Sequence, residues 1–565
     1  MLQLAALAFI RGDLAEETLF KRAAELIRSL QIESDADLGP IFEAAPATLD
    51  PEILKRLRQM YEAGGWVLLE STLADVPADL RWLIESGAIT IEQIAAVHRA
   101  LDVTSAADVA AAIQEQMLRR VAGIGEIVEG AVAEALPGIR ASIPRIPLGR
   151  ATAIAEPLLL RLRSLPGLAW AEPAGSLRRG QDMVGDIELI ASLADAAGAI
   201  DQMLALPDAS RALHRSERRL YILVERVQVG LRFPEPPNAG AALLYLTGSA
   251  PHVSALQAHA DAAGFRLKPS GLHTRDGVLR PAPHEDDIYR ALGLPTIPPE
   301  IRNGDEEVAM AARGEVPALV TRADIRGDLH MHSTWSDGRD SVEAMVAACR
   351  TLGYEYMAIT DHSPTSAATR NLTIDAVKRQ AEEIDALRER YPEIAILHGC
   401  EADILSDGRL DFPDRVLERF DIVLASLHES YGQGRDQLLK RYLAALRHPL
   451  VAMITHPTNR LVPHRAGYEL DYDRLFEAAA ETHTIVEIDG SPSHLDLDGP
   501  MARRAIAAGA EVAVDSDCHR AEMLERQMQL GLLTARRGWV EPRHVLNTRP
   551  LADVRAAIAR KRAGH

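Results

Sequence analysis

The stretch DLHMHSTWSDG, residues 328–338, constrains this chain more than any other, because two histidines stand two positions apart in a segment that reads as extended. Side chains two residues apart in a strand lie on one face, so the imidazoles of His330 and His332 would converge. Such a pair is typical of a strand that offers two metal ligands. Two solvated histidines on a surface strand are the alternative, and the pair alone does not exclude it.

Later apolar segments favour the metal interpretation, because each of them ends in a histidine or a carboxylate. The segments are EYMAIT before Asp361 and His362, IAILHGC before Glu401, DIVLASL before His428, LVAMIT before His456, and EVAV before Asp515, Asp517 and His519. Parallel strands followed by helices carry functional groups at their carboxyl ends, and closed α/β barrels collect these ends on one face. We therefore predict that six strand ends converge on one bowl.

The length and charge of the chain limit the classes of function. Its 565 residues suffice for about three or four domains. A formal net charge of −19 argues against a protein that coats nucleic acid by charge alone, so contact with nucleic acid must come from local basic patches, backbone amides or bound cations.

The cysteines and the apolar segments bear on the compartment. Cys349, Cys400 and Cys518 form no CxxC motif, which indicates neither a disulfide framework nor a Cys-rich zinc site and fits a reducing cytoplasm. The apolar run at the N-terminus is short and has no basic region or cleavage site, and no run approaches the ~20 residues of a membrane span. We expect a cytoplasmic protein without a membrane anchor.

Residues 1–145 are rich in Ala, Leu, Glu and Arg with apolar positions three and four apart, which predicts helices. Within them, Gly123 and Gly125 separate two helical patterns in LRRVAGIGEIVEGAVAEAL. This Gly-Ile-Gly turn resembles a helix-hairpin-helix element, whose backbone N–H groups can face a DNA phosphate. A glycine cap between two packed helices gives the same letters, so both interpretations stay open.

Two glycine-containing motifs, AGSLRRG and VGDIE, follow in the next region. A Gly-Ser turn that opens a helix can hold a triphosphate through amides, a hydroxyl and an arginine. Two carboxylates two positions apart on a strand face the same side and can share a divalent ion. The Gly-Ser turn is formed by Gly175 and Ser176, and the candidate catalytic carboxylates are Asp186 and Glu188.

The segments AGSLRRGQDMVGDIELI, RVQVGLRF and LYLTGS resemble the palm of a family X DNA polymerase, which has the nucleotidyltransferase fold. The resemblance implies that Ser176, Arg179 and Gly185, together with Gly175 of the same turn, contact the incoming nucleotide, and that Asp186 binds Mg or Mn. The chain departs from the family pattern at Glu188, where the family has its second Asp, and at Gly230, where it has the third. Glycine can neither activate a primer 3′-hydroxyl nor bind a metal. We expect polymerase activity that is weak, Mn-dependent or absent.

The C-terminal motifs HxH, DH, GxE, SxH, THP and DxDxH occur in order and resemble the PHP (polymerase and histidinol phosphatase) family. That family implies a distorted (β/α)7 barrel with three divalent metal ions. The implied ligand sets are His330, His332, Glu401 and Asp517 for one ion, Glu401, His428 and His456 for a second, and Asp337, His362 and His519 for the third. Mixed imidazole and carboxylate ligands suit Mn, Zn or Fe better than Mg. Cys518, between two ligands, is expected to face the other way and pack.

The expected fold is multidomain, with a helical N-terminal region, an α/β nucleotidyltransferase palm and thumb, and a C-terminal PHP barrel. The expected boundaries are 1–90 for a helical domain like the 8-kDa domain of the polymerases, 91–145 for helix-hairpin-helix fingers, 146–235 for the palm, 236–300 for the thumb, 301–323 for a linker and 324–565 for the PHP domain.

The leading hypothesis is a DNA-repair enzyme of the PolX type, which combines a family X core with a PHP domain. The PHP domain would act as a metal-dependent 3′–5′ exonuclease or 3′-end phosphoesterase on gapped, nicked or 3′-recessed DNA. The palm would bind DNA and dNTP, and the protein would be a monomer that does not contact membranes. Two alternatives remain: a small-molecule phosphomonoesterase with a vestigial palm, and a non-enzymatic scaffold that binds DNA ends.

Overall fold

The structure is a computed structural model that describes residues 1–29, 51–63, 69, 72–73, 76–142, 145–206, 211–225, 227–366, 371–428 and 432–564. It divides into two compact units. The first comprises Met1–Ile146, Ala151–Arg178 and Val184–Thr296, and the second comprises Pro147–Arg150, Arg179–Met183 and Ile297–His565.

The first unit begins with helices, as the apolar spacing predicts. They are α1 (Leu2–Ile10), α2 (Leu14–Ser29), α3 (Pro51–Ala63), α4 (Ala78–Glu85), α5 (Ile91–Leu101), α6 (Ala106–Gln114) and α7 (Gly125–Ser142). Capping boxes at Thr90 and Ser105 start α5 and α6, because each hydroxyl accepts a hydrogen bond from the backbone N–H three residues later. The helical prediction is confirmed for the described residues; 30–50 and most of 64–75 lie outside them.

A five-stranded sheet follows in the region predicted to be the palm. Its strands are β2 (Trp170–Pro173), β4 (Ile187–Ser192), β5 (Arg211–Arg215), β6 (Arg219–Val224) and β7 (Val227–Arg232), in the spatial order β2-β4-β7-β6-β5. Two-residue strands β1 (Ile146–Pro147) and β3 (Met183–Val184) precede and interrupt it, and its helices are α8 (Leu148–Arg163), α9 (Gly175–Arg178) and α10 (Ala196–Leu204). Strand β4 is buried along its whole length.

The first unit ends with a small mixed region. It contains α11 (Ala239–Thr247), α12 (Ala250–Ala262), β8 (Phe265–Lys268), β9 (Gly271–Thr274), β10 (Leu279–Arg280) and α13 (Glu285–Ala291). The three strands pair as an antiparallel sheet.

The second unit is built on seven parallel strands that neighbour each other in sequence order. They are β11 (Gly327–Asp328), β12 (Tyr356–Ile359), β13 (Ala395–Asp403), β14 (Ile422–Ser426), β15 (Met453–Ile454), β16 (Ile485–Asp489) and β17 (Val512–Asp515). A parallel bridge between Met331 and Cys518 joins the first strand to the last. The sheet is therefore a nearly closed barrel, as the sequence predicts.

Helices alternate with the barrel strands. They are α14 (Glu307–Arg313), α15 (Val342–Thr351), α16 (Ile374–Arg390), α17 (Asp414–Leu417), α18 (Arg435–Arg447), α19 (Tyr472–Glu481), α20 (Gly499–Ala507), α21 (Leu524–Arg537) and α22 (Leu551–Arg562). The segment 301–323, expected to be a linker, contributes α14 and packs Val320 into the core of this unit.

Alternate residues of the barrel strands enter two different cores. Val423 and Ala425 of β14 join the core that includes the surrounding helices, whereas Ile422 and Leu424 join a second cluster together with residues of α22. Successive side chains of a strand point to opposite faces. Residues an even number of positions from a member of the second cluster therefore point into the barrel. In β16 these are Ile485, Glu487 and Asp489. Inward carboxylates therefore collect at the carboxyl ends of the strands.

Across the described parts of the chain, no helix combines the length and the apolar character needed to span a bilayer.

Candidate metal centre

All nine residues predicted as metal ligands lie together at the carboxyl ends of the barrel strands. The carboxylate of Glu401, at the inward face of β13, touches two of them. Its Oε1 lies 2.8 Å from His456 Nε2, and its Oε2 lies 2.9 Å from His362 Nδ1. His428 Nε2 lies 3.7 Å from the same Oε1. Each oxygen of this buried carboxylate therefore lies close to a histidine nitrogen, as expected for a residue that bridges two metal ions.

A second group forms around the two histidines of the DLHMH segment. The Nε2 atoms of His330 and His332 lie 3.1 Å apart, and His332 Nε2 lies 3.1 Å from Asp517 Oδ1. Both imidazoles are fully buried. The period-two argument is thus confirmed, because these side chains do converge rather than face solvent.

The third group lies where the bowl is most exposed. Asp337 Oδ1 is 3.3 Å from His519 Nε2 and 3.6 Å from His362 Nε2. The ring of His332 stacks on both imidazoles, with ring centroids 4.3 Å apart in each case. The side chains of Asp337 and His519 are 27% and 33% exposed, whereas Glu401 is buried. The bowl therefore opens on the side of Asp337 and His519.

The buried polar atoms of the bowl satisfy one another poorly. Within the described residues, Glu401 Oε2 and His362 Nδ1 are buried without a hydrogen-bond partner, although only 2.9 Å separates them. An unsatisfied buried polar group costs about 1–3 kcal/mol. Imidazole nitrogens and carboxylate oxygens are also the donor set that binds divalent transition metals. The residues present fit the cations that the PHP resemblance implies.

The carboxylates and imidazoles of the bowl shift one another's pKa values strongly. Burial raises the pKa of Glu401, but the neighbouring His428 and His330 outweigh it and hold that pKa well below its ordinary value. Burial lowers the pKa of His456, but hydrogen bonding to Glu401 and its charge raise it to about 9. Protons and metal ions therefore compete for the same sites, and metal binding requires the imidazoles to be neutral.

At His332, burial outweighs the opposite effect of the neighbouring Asp517 on the pKa. Burial, assisted by the charges of His519 and His362, lowers the pKa of His332 to about 4. This imidazole is neutral at pH 7, which is the form that binds a metal.

The turn that carries the first two histidines is fixed by Asp361. Its Oδ1 accepts hydrogen bonds from the backbone N–H of Ser333 at 2.8 Å and from the Ser336 hydroxyl at 2.6 Å. Its Oδ2 accepts one from Gln380 Nε2 at 2.6 Å. Asp361, two residues after the end of β12, therefore acts on the geometry of the DLHMHS segment rather than as a ligand.

Two carboxylates that the sequence analysis did not select orient the ligands. Glu487 accepts a hydrogen bond from His330 Nδ1 at 2.6 Å and another from the backbone N–H of His456 at 2.7 Å. Asp403 lies 3.0 Å from His428 Nδ1. Such partners fix the ring orientation and raise the basicity of the ligating nitrogen. The segment TIVEIDG, an apolar run that ends in two carboxylates, was the signal that could have found Glu487.

The backbone is unusual at two of the ligand positions. His456 has a φ of 27° and Asp517 a φ of 49°, values that non-glycine residues rarely adopt. Such conformations cost about 1–3 kcal/mol and cluster at functional sites. Cys518, next to Asp517, is buried in the core that includes the outer helices, so the prediction that it packs is confirmed.

Arg460 fixes the loop after β16 beside the bowl. It donates from Nε to the carbonyl oxygen of His494 at 2.9 Å and from a terminal nitrogen to that of Leu495 at 2.7 Å. It thus anchors this loop through its backbone.

The predicted palm site is arranged differently. Glu188 is buried on β4, where Tyr221 donates its hydroxyl to Oε1 at 2.6 Å and Arg232 donates Nε to Oε2 at 2.7 Å. The guanidinium of Arg232 also contacts Asp108 at 2.5 Å and the Ser105 hydroxyl at 2.9 Å. An internal cation therefore already neutralises this carboxylate.

Gly230 lies directly opposite Glu188, in register between the parallel strands β4 and β7. A Cβ at Gly230 would lie 2.6–2.7 Å from the Glu188 carboxylate atoms, so that carboxylate fills the space next to the glycine. A metal ion on Glu188 would have to displace the Arg232 guanidinium, so Glu188 is bound in a structural network instead of being available for catalysis. The metal-binding role predicted for Asp186 stays a prediction.

The candidate nucleotide-binding residues flank β4. Gly175 has a φ of 61° and begins the one-turn helix α9 together with Ser176. The backbone N–H of Ala174, just before this turn, donates to the carbonyl oxygen of Glu188 at 2.8 Å. Gly185 and Asp186 lie immediately before β4, and Arg179 directly follows α9. The turn that was predicted is present, and its role in binding phosphate stays a prediction.

Gly123 and Gly125 form the predicted turn before α7. Their φ values of 84° and 62° require glycine, and a Cβ added at either would meet nothing within 4 Å. Gln93 Nε2 donates to Gly123 O at 3.0 Å, which ties the turn to α5. The turn is exposed, so it is open to a phosphate and equally consistent with a helix cap.

Comparison with known proteins identifies both parts of the chain. The family model for the DNA polymerase beta thumb matches residues 242–303, and the model for the PHP domain matches 328–491. The DNA polymerase/3′-5′ exonuclease PolX of Bacillus subtilis is 35% identical over 508 residues, covering 89% of each chain. A protein of Caldanaerobacter subterraneus named as a probable phosphatase is 30% identical over 30% of this chain and 65% of its own. A probable phosphatase of Enterobacter is 29% identical over 40% of this chain and 90% of its own length.

The similarity to the Bacillus protein extends through the helical region, the palm, the thumb and the barrel, whereas the phosphatases match only a part of the chain. With the polymerase thumb and the PHP barrel in one polypeptide, this chain belongs to the PolX family, the family X DNA polymerases that carry a PHP domain.

Proposed function

We propose that this chain is a PolX-type DNA-repair enzyme whose barrel hydrolyses phosphodiester bonds at DNA 3′ ends, as a metal-dependent 3′–5′ exonuclease or 3′-end phosphoesterase. The observation that carries the proposal is the meeting of nine ligand-type residues around Glu401, with buried polar atoms left unsatisfied. The name of the Bacillus subtilis relative, DNA polymerase/3′-5′ exonuclease, supports a DNA substrate. Gapped, nicked or 3′-recessed DNA is the substrate class that suits such a repair enzyme.

The proposed cofactors are three divalent metal ions, Mn or Zn. His330, His332, Glu401 and Asp517 would hold the first, Glu401, His428 and His456 the second, and Asp337, His362 and His519 the third. When bound, such ions supply a hydroxide nucleophile near neutral pH and neutralise charge on the phosphate. No protein nucleophile is needed, which agrees with the burial and packing of Cys518.

Residues of the chain itself would orient the ligand rings, close the bottom of the bowl and leave one side open to substrate. Glu487 and Asp403 hold the rings of His330 and His428. The apolar cluster that includes Leu424 and Ile558 fills the barrel beneath the bowl. Substrate therefore has to approach from the rim near Asp337 and His519, where the side chains are partly exposed.

The palm would contribute binding rather than gap filling. Because Arg232 neutralises Glu188 and no carboxylate stands at 230, nucleotide addition should be absent or very weak. The α9 turn and the Gly123–Gly125 turn are the proposed contacts to dNTP and DNA phosphates. We further propose that the protein acts in the cytoplasm as a monomer.

The test is cleavage of a labelled duplex with a recessed 3′ end in the presence of Mn2+. Substitution His332→Ala should lower the rate of shortening by at least about 1,000-fold, because it removes a ligand of the first ion. His464→Ala, which changes an exposed histidine of the same unit, is the matched control and should retain the rate.

A parallel incubation with histidinol phosphate separates the rival function. Release of phosphate without any shortening of DNA would replace the nuclease with a small-molecule phosphatase. Unchanged binding of gapped DNA by wild type and His332→Ala, with no turnover of either substrate, would instead indicate a scaffold.

A further inference from the structure

A buried carboxylate of the barrel is not used by the nine predicted ligands. Asp489 is the last residue of β16 and points inward in step with Glu487. It is fully buried, and its Oδ1 accepts a hydrogen bond from the backbone N–H of Ser491 at 2.6 Å. In the part of the chain that the structure describes, its Oδ2 has no hydrogen-bond partner.

The loop that follows β16 brings a histidine to the same place. The ring of His494 stacks on that of His456, with centroids 5.2 Å apart and planes 25° apart. Its Nδ1 is buried and likewise without a hydrogen-bond partner among the described residues. Arg460 fixes this loop through the carbonyl oxygens of His494 and Leu495. The imidazole is therefore held in position by packing and by its backbone, with a ring nitrogen left over.

Asp489, His494 and Asp517 each present one ligand atom, and these three atoms all lie within 4.8 Å of one another. Metal–oxygen and metal–nitrogen bonds of about 2.0–2.2 Å place two ligands on opposite sides of one ion roughly 4 Å apart. The gap between the three side chains is thus close to the size of one coordinated cation. Two carboxylates brought this close in a buried site repel each other unless a positive charge stands between them.

We propose that Asp489, His494 and Asp517 form a further site for a divalent transition metal, in addition to the three positions proposed above. The site shares Asp517 with the group of His330 and His332, so it extends the cation cluster along β16 towards the loop held by Arg460. One imidazole and two carboxylates select for Mn, Fe or Zn over Mg. The inference rests on the proposed function, because it assumes that the bowl is loaded with metal.

The direct test is an anomalous difference map from crystals of the full-length wild-type chain soaked in Mn2+. The expected result is a peak between Asp489, His494 and Asp517 in addition to peaks at the groups around Glu401. Peaks around Glu401 with none at Asp489 overturn the further site and leave the proposed function intact. A map without any peak in the bowl overturns both.

Metal content in solution provides a second measurement. After equilibration with Mn2+, Asp489→Asn and His494→Gln should each bind about one ion fewer per chain than wild type. The control His464→Gln should bind as many as wild type. An unchanged count in both variants, or a loss of two or more ions in either, overturns the inference, because the residues would then serve no ion or would support the neighbouring groups.

Discussion

The barrel and the palm both bury carboxylates on strands of a sheet, but they neutralise them in opposite ways. In the barrel, Glu401 is surrounded by histidines and keeps an oxygen without a hydrogen bond among the described residues. In the palm, Glu188 has both oxygens bonded by Tyr221 and Arg232. A buried carboxylate needs either a metal ion or an internal cation. The arrangement around Glu401 suits a metal centre, whereas the arrangement around Glu188 is a structural network.

The difference depends on few residues. Strand β7 places glycine opposite Glu188 and an arginine two positions later, on the same face. The glycine leaves room for the Glu188 side chain and the arginine neutralises it. The glycine at 230 and the buried ion pair of Glu188 with Arg232 thus belong to one arrangement.

The largest effect should follow from removing the internal cation. Arg232→Met leaves Glu188 buried without its charged partner, which should lower the free energy of unfolding by about 3–5 kcal/mol. Denaturant unfolding of the full chain measures this. Arg215→Met is the matched control, because its pair with Asp201 is about half exposed and should cost less than about 1 kcal/mol.

A double variant sharpens this result. Replacing both partners, as Glu188→Gln with Arg232→Met, should recover much of the loss, because no buried charge is then unpaired. If Arg232→Met is as stable as Arg215→Met, the palm network is not the structural element described above.

Metal removal should act on the barrel and not on the first unit. A ligand at 100 times its Kd stabilises the native state by about 2.7 kcal/mol, which for a unit of this size corresponds to roughly 5–10 °C in Tm. EDTA should therefore lower the Tm of the barrel unit and leave the Tm of the first unit unchanged, as measured by calorimetry. In the His332→Ala chain the chelator effect should shrink. If EDTA lowered the Tm of both transitions equally, metal binding would not be confined to the barrel and the contrast between the two regions would be wrong.

The smallest of these effects should come from Glu487, which supports the bowl without being a predicted ligand. Glu487→Gln weakens the acceptor for His330 Nδ1, so Mn2+ affinity should fall about 10–100-fold. Equilibrium dialysis measures this, with Glu469→Gln at an exposed position as the control. Unchanged affinity would show that the contact at 2.6 Å has no influence on the metals.

The barrel was predictable because its signals are local. Most of the ligands lie at the ends of short apolar segments, and the period of two places His330 and His332 on one face. The full set of nine, Asp337 included, was implied by the resemblance to the PHP family. Glu487 and the pair of Glu188 with Arg232 were not predicted, because they depend on strand register. Glu487 is 157 residues from His330, and Arg232 is 44 from Glu188. Spacing along the sequence does not encode such partners.

The palm shows the complementary limit. Gly230 could be recognised as the loss of a carboxylate, and the glycine turns at 123–125 and at Gly175 formed as predicted. The contact between Arg232 and Glu188 could not be predicted, because it depends on the pairing of β4 with β7.

The central claim is that this chain removes nucleotides in its barrel and adds few or none in its palm. One incubation tests it most directly: labelled gapped DNA, all four dNTPs and Mn2+, with wild type, His332→Ala and Asp186→Ala side by side. Wild type and Asp186→Ala should shorten the strand equally, and His332→Ala should leave it unshortened with little or no extension. Efficient gap filling by His332→Ala, or shortening that persists in His332→Ala, would contradict the account.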